Sequence, residues 1–164
     1  MTRRWLLGFA LCLCAACMPP APIFGLRPEY PEPRNQKIDS RQPRLRWEAF
    51  PRPADLKADS NGWVARIQHV TYDVRIWRTV EGAFGRPFPG NLIYSRDSVP
   101  EPSHTVETPL APDTSYVWTV RARFELDRQE RITEWSMLRF PYDGPAEPRL
   151  PQIPPFSYYR FRTP

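Results

Sequence analysis

The chain has 164 residues, 41% of them hydrophobic, 13% aromatic and 25% charged, with 22 prolines and a formal charge of +5, which is material for one domain. All three cysteines, Cys12, Cys14 and Cys17, precede residue 18, so a disulfide scaffold and a cysteine-built metal site are excluded from everything after them. The basic excess is too mild and dispersed for a nucleic-acid footprint, and no nucleic-acid partner is expected.

The first element is a targeting segment. Thr2-Arg3-Arg4 is a short basic start, and the apolar run from Trp5 to Met18 is 14 residues long, short of the roughly 20 that a membrane-crossing helix needs. The run ends in Leu13-Cys14-Ala15-Ala16-Cys17, small residues leading to a cysteine, which resembles the lipobox of bacterial lipoproteins, with Cys14 where that family usually has Leu. The resemblance implies cleavage after residue 16 and lipidation of Cys17, hence a membrane contact made by acyl chains and not by a helix. It also implies a place in the cell envelope, and Met18, in a position where Asp would signal inner-membrane retention, favours the outer membrane, facing either the periplasm or the cell surface. Removing residues 1–16 takes away Arg3 and Arg4 and leaves a mature charge of +3, an excess that favours anionic envelope surfaces.

Residues 17–35 follow as a stalk. Prolines at 19, 20, 22, 28, 31 and 33 forbid a continuous helix or central strand and favour an extended spacer. From residue 36 to 140 the pattern changes to a period of two. A short strand near Gln36–Asp39 is followed by candidates at Leu45–Phe50, Tyr72–Trp77, Leu92–Ser98, His104–Glu107, Tyr116–Phe124 and Trp135–Phe140. Between them lie pieces rich in turn residues, Asp59–Gly62, Gly82–Asn91 and Val99–Ser103, and no window of a dozen residues has a helical pattern. About seven short strands in this length predict an all-β sandwich.

Leu110-Ala111-Pro112-Asp113-Thr114-Ser115-Tyr116, continued by Val117-Trp118-Thr119-Val120-Arg121-Ala122, resembles the corner and following strand of a fibronectin type III domain, an immunoglobulin-like sandwich. Pro43–Trp47, Tyr72–Ile76 and Glu134–Ser136 with Phe140 are similar to three further strands of that family. The resemblance covers residues 36–140 and implies a core containing Trp47, Tyr72, Val74, Ile76, Leu110, Tyr116, Trp118 and Val120, with the Tyr116 hydroxyl bonded back to upstream backbone. The chain lacks the Arg-Gly-Asp tripeptide of the family's adhesive members.

No residue pattern announces catalysis, and neither an enzyme nor a cofactor is expected. His69 and His104 are scattered, no Gly-x-Ser-x-Gly elbow occurs, and the oxygen-rich stretch Asp55–Gly62 has Lys57 where a calcium loop needs a ligand, so no metal is expected either. One surface constellation has physical content: Arg75, Trp77, Arg121, Arg123 and Trp135 fall on the outward faces of neighbouring strands. Val120–Arg123 with Trp135-Ser136 resembles half of the tryptophan and arginine ladder of cytokine-receptor type III domains. The set reads either as a self-satisfied ladder that stiffens the sheet or as a partner-binding face. The tail, residues 141–164, is again proline-rich but ends with Phe156, Tyr158, Tyr159 and Phe161 close together; it either docks on its own domain or serves as a peptide ligand for a partner. The expected function is a non-catalytic protein-interaction module with an envelope protein as partner. The alternative is binding to carbohydrate or peptidoglycan, a cell-wall glycan stacking on Trp63, Trp77, Tyr158 or Tyr159.

Overall fold

The computed structural model describes residues 25–31, 34–81, 87–136, 138–139, 156–157 and 159–164. Two sheets pack face to face. The smaller is built from β1 (Pro28–Tyr30), β3 (Arg44–Trp47) and β6 (Ser103–Thr105), all antiparallel, in the order β1-β3-β6. The larger takes β2 (Arg34–Lys37), β4 (Ile67–Glu81), β5 (Pro87–Val99), β7 (Ser115–Leu126) and β11 (Tyr159–Arg162) in the order β2-β11-β7-β4-β5, with β8 (Gln129–Ile132) folded back on β7. β9 (Leu138–Arg139) and β10 (Phe156–Ser157) form a separate small ladder. The architecture is an all-β sandwich.

Alternation decides the core. On β4 the residues Tyr72, Val74 and Ile76 face inward, on β7 Tyr116, Trp118, Val120, Ala122 and Phe124 do the same, and all are buried. Leu45 and Trp47 close the core from the smaller sheet; the Trp47 ring meets Tyr72 edge-on at 5.4 Å and Trp118 at 6.5 Å. All eight core positions expected from the sequence are buried. Residues Asp127 and Arg128, both at positive φ, make the two-residue turn joining β7 to β8.

The proline-rich ends depart from the sequence reading. Residues 25–35 are not wholly a stalk: Leu26 is buried, Pro28 begins β1, and the chain then crosses to the larger sheet as β2. Proline is tolerated there because a strand's first residue can dispense with its N–H. The tail is not separate either. β11 pairs antiparallel with β7, Tyr159 opposite Trp118 and Phe161 opposite Tyr116, and parallel with β2 on its other side. Tyr159 and Phe161 are buried core residues, so of the two arrangements left open by the sequence, the tail docks on its own domain.

The strand expected at Trp135–Phe140 is replaced by something more divided. The edge of β7 is covered in three successive pieces: β8 along residues 123–126, the irregular segment Thr133–Ser136 along Val120 and Ala122, and β11 along residues 115–118. A single strand position is therefore split, with residues 137–158 inserted in its middle. The stretch before the Asp59 turn, expected to be loop, contains the short helix α1 (Pro53–Ala58), started by Pro53 and by the Asp55 carboxylate accepting from the Arg52 N–H at 2.8 Å.

Candidate interaction faces

The outward face of the larger sheet centres on Asp73, whose side chain is fully buried although its strand position points away from the core. Arg121 Nε donates to Asp73 Oδ2 at 2.9 Å, an Arg123 terminal nitrogen donates to the same oxygen at 3.1 Å, and the Ser98 N–H reaches Oδ1 at 3.3 Å. Burial alone pushes this carboxyl upward, but the bonds from Arg121, Arg123 and Ser98 outweigh it and hold Asp73 below the usual carboxylate range. Arg123 also pairs with Glu130 on β8, and Arg75 with Asp97 on β5 at 2.7 Å.

The ladder is assembled on this base. The Arg121 guanidinium lies 4.3 Å from the Trp135 ring centroid and that of Arg75 lies 5.5 Å away, within range of cation–π attraction. Trp135 is held by its neighbours. The Ser136 hydroxyl accepts from the Val120 N–H at 3.0 Å and the Ser136 N–H donates to the Val120 carbonyl at 2.9 Å; Thr133 does the same for Ala122 at 3.0 and 2.9 Å. Two side-chain oxygens thus accept from β7 where a neighbouring strand's carbonyls would, and they set the height at which the indole meets the guanidinium groups.

The structure therefore brings together Arg75, Arg121, Arg123 and Trp135, each cation neutralised by a carboxylate of the same face. Trp77 stands apart from that stack: it is half-buried, opposite Leu92 on β5 and Val117 on β7. Of the tail residues, Tyr159 and Phe161 are inside the core and so are not exposed platforms for a glycan, whereas only the backbone of Phe156 is described. Cys17 and Tyr158 lie outside the described residues. Trp63 packs against the core edge. His104 accepts or donates a 2.6 Å hydrogen bond with the Tyr94 hydroxyl across the seam between β6 and β5, and His69 is exposed on β4.

The sequence reading missed the long arm formed by β4 and β5. Their last pairs, Thr79–Pro89, Val80–Phe88 and Glu81–Pro87, extend past the start of β7, which ends its pairing with β4 at Arg78–Tyr116. Of six exposed large hydrophobic residues among those described, four lie on this hairpin: Val80 (47% exposed), Phe88 (41%), Leu92 (51%) and Ile93 (45%). Pro87, Pro89 and Gly90 looked like loop punctuation, yet β5 is an edge strand with bulges, where prolines cost little. Gly90 is required at its bulge, since a Cβ there would sit 2.5 Å from Val80 Cγ1 and 2.9 Å from the Arg78 carbonyl oxygen.

Among the described residues no three His, Cys, Asp or Glu side chains converge as a metal site, and no helix is long and apolar enough to cross a membrane. An open polar cleft of about 470 Å³ is lined by Arg66, Gln68, Glu125, Asp127 and Arg128, in which Arg66 and Asp127 pair at 2.6 Å. Comparison with protein families, with curated proteins and with solved structures finds no match for this chain.

Proposed function

We propose that the chain is a lipid-anchored protein of the bacterial envelope whose sandwich, of fibronectin type III kind, works by binding another protein and not by catalysis. The lipobox-like run ending at Cys17 supports the anchor. The Ala111 N–H donating to the Tyr116 hydroxyl at 3.0 Å supports the family reading, because it is the corner bond that the resemblance implied.

The observation that carries the interaction reading is the apolar arm. A concentration of exposed large apolar side chains on one projecting strand pair marks a contact site more often than single scattered ones do. Val80 and Phe88 lie opposite one another near its end, and Trp77 and Leu92 form a second apolar pair nearer the sheet, on the other face of the hairpin. The arginine face is the weaker contact site, since its charges are already matched internally.

The test is photo-crosslinking in living cells with the reactive residue placed at Phe88, Leu92 or Arg123. A single protein adduct from the two arm positions, absent from Arg123, is the expected result; adducts to glycan would transfer the function to wall binding. Cys17→Ser is expected to abolish acyl labelling and release the protein from membranes, and an unchanged membrane fraction would refute the anchor.

A further inference from the structure

Arginines without an ion pair occur on both outer faces among the described residues. On the larger sheet Arg75, Arg121 and Arg123 each have a carboxylate, whereas Arg160 on β11 has none and is part-buried. On the smaller sheet, Arg44 and Arg46 flank the inward-facing Leu45 and are both exposed, and neither makes an ion pair among the described residues. Arg44 donates to the Ser103 hydroxyl at 3.2 Å, and the Arg46 guanidinium lies 5.8 Å from the Tyr30 ring centroid. The β6 residues opposite them, Ser103 and Thr105, are neutral. Two carboxylates belong to the same region, Glu48, the next outward position after Arg46, and the exposed Glu29 on β1, and neither forms an ion pair with Arg44 or Arg46.

We propose that this outer face of the smaller sheet lies against the anionic phospholipid headgroups of the membrane to which the chain is tethered. The inference rests on the reading of Cys17 as the lipidated residue. Charge is the first argument: guanidinium groups without a built-in counter-ion suit phosphate, which they can bind with two parallel hydrogen bonds, and Tyr30 is a side chain at home in the headgroup layer. The tether is the second. β1 belongs to this same sheet and begins at Pro28, eleven positions after Cys17, and eleven residues can span at most about 40 Å, which bounds the distance between the sheet and the anchored cysteine. Holding a weakly attracted face that close raises its effective concentration at the bilayer without any new contact. The apolar arm belongs to the other sheet and stays free for a protein partner.

The test uses the chain from residue 18 onward, which contains every described element of the sandwich and bears no acyl group. It is sedimented with vesicles of phosphatidylcholine alone or mixed with phosphatidylglycerol. Binding is expected only to the anionic vesicles, weakening with salt, and Arg44→Gln with Arg46→Gln is expected to lower it about 25-fold, near fivefold per arginine. The control pair Arg66→Gln with Arg128→Gln, at the polar cleft, is expected to change it less than twofold. Circular dichroism and melting establish that both double variants fold.

Equal loss in the control pair would overturn the proposal by showing that net charge alone is read. Unchanged binding of the Arg44 and Arg46 variant would overturn it, as would absence of vesicle binding with retention on an anionic glycan or acidic protein. Failure of the anchor is seen separately, as acyl labelling that survives Cys17→Ser in the full chain, because the vesicle assay contains no lipidated protein.

Discussion

The hydroxyl of Thr163 donates to the carbonyl oxygen of Ala111 at 2.7 Å, so the chain's final residues are bolted to the same residue whose N–H is held by Tyr116. The Thr114 N–H donates to that Thr163 oxygen at 3.0 Å, the Asp113 N–H reaches the Pro164 carbonyl at 2.9 Å, and Arg162 pairs with Asp113 at 2.8 Å. Thr163 is fully buried. Thr163→Ala should therefore cost about 1–3 kcal/mol, the range for leaving buried polar groups unpaired. Phe161→Ala should cost about 3–5 kcal/mol. Deleting residues 159–164 removes both along with Tyr159 and should leave little folded protein; urea denaturation followed by tryptophan fluorescence checks all three, and a deletion with an unaltered midpoint would show the tail to be dispensable.

Asp73 should give the fold an acid limb. Its carboxyl is held below the ordinary value, so the stability it contributes is present above about pH 4 and is lost as pH falls through the depressed folded value. Asp73→Ala leaves Arg121 and Arg123 without their shared partner and should destabilise by about 3–5 kcal/mol at neutral pH. Asp73→Asn should be milder and should flatten the dependence of stability on pH below about pH 4. Parallel acid titrations of wild type and variant measure this.

His104 should act in a different window. Burial lowers its affinity for a proton, with Arg96 acting in the same sense and Glu107 opposing. A depressed imidazole favours the neutral ring in the fold, so the contribution is complete above about pH 6.5 and declines as pH drops toward the folded value. His104→Gln, which keeps a polar partner for Tyr94, should lose that decline, and melting temperatures recorded from pH 8 to pH 5 would show it as a flatter profile.

The hydroxyls that complete the β7 edge should matter more than their position in an irregular segment suggests. Ser136→Ala removes the acceptor of the buried Val120 N–H and one of the two partners of the Thr119 hydroxyl, which keeps the Ser136 carbonyl, and should cost about 1–3 kcal/mol. It should also loosen Trp135 from Arg121. The expected signature is a red-shifted tryptophan emission in the variant together with the lowered midpoint; a Ser136→Thr substitution should restore most of both.

The centre of the fold was legible because alternation is a local signal: Tyr72, Val74 and Ile76, or Tyr116, Trp118 and Val120, declare an inward face without any knowledge of their partners. The same signal stood in Tyr159-Arg160-Phe161-Arg162, but surrounding prolines and a long separation from residue 136 disguised a half-strand as a tail. The arginine and tryptophan cluster could be placed on neighbouring strands from sequence, whereas its neutralisation could not. That depends on Asp73, which alternates with apolar residues as an ordinary outward position does, and on Asp97, which sits in a polar stretch of β5; both acquire their meaning only from the register of β4 with β7 and β5. The hairpin arm was hidden for the opposite reason, since residues that break central strands were used on an edge.

The parallel pairing of β2 with β11 joins residues 34–37 to residues 160–162, which are 125 or 126 positions apart in sequence. Such a contact is entropically late: the ends must be brought together before it yields any stabilisation, and topologies of this kind fold on the order of milliseconds to seconds, slower than ones held by local contacts. On its other side β11 covers residues 115–118 of β7, which without it would have an open hydrogen-bonding flank beside the unburied rings of Tyr159 and Phe161. Completing the edge of β7 and pairing β2 therefore both depend on the same four residues, Tyr159–Arg162, which take part in the only parallel ladder among the described strands.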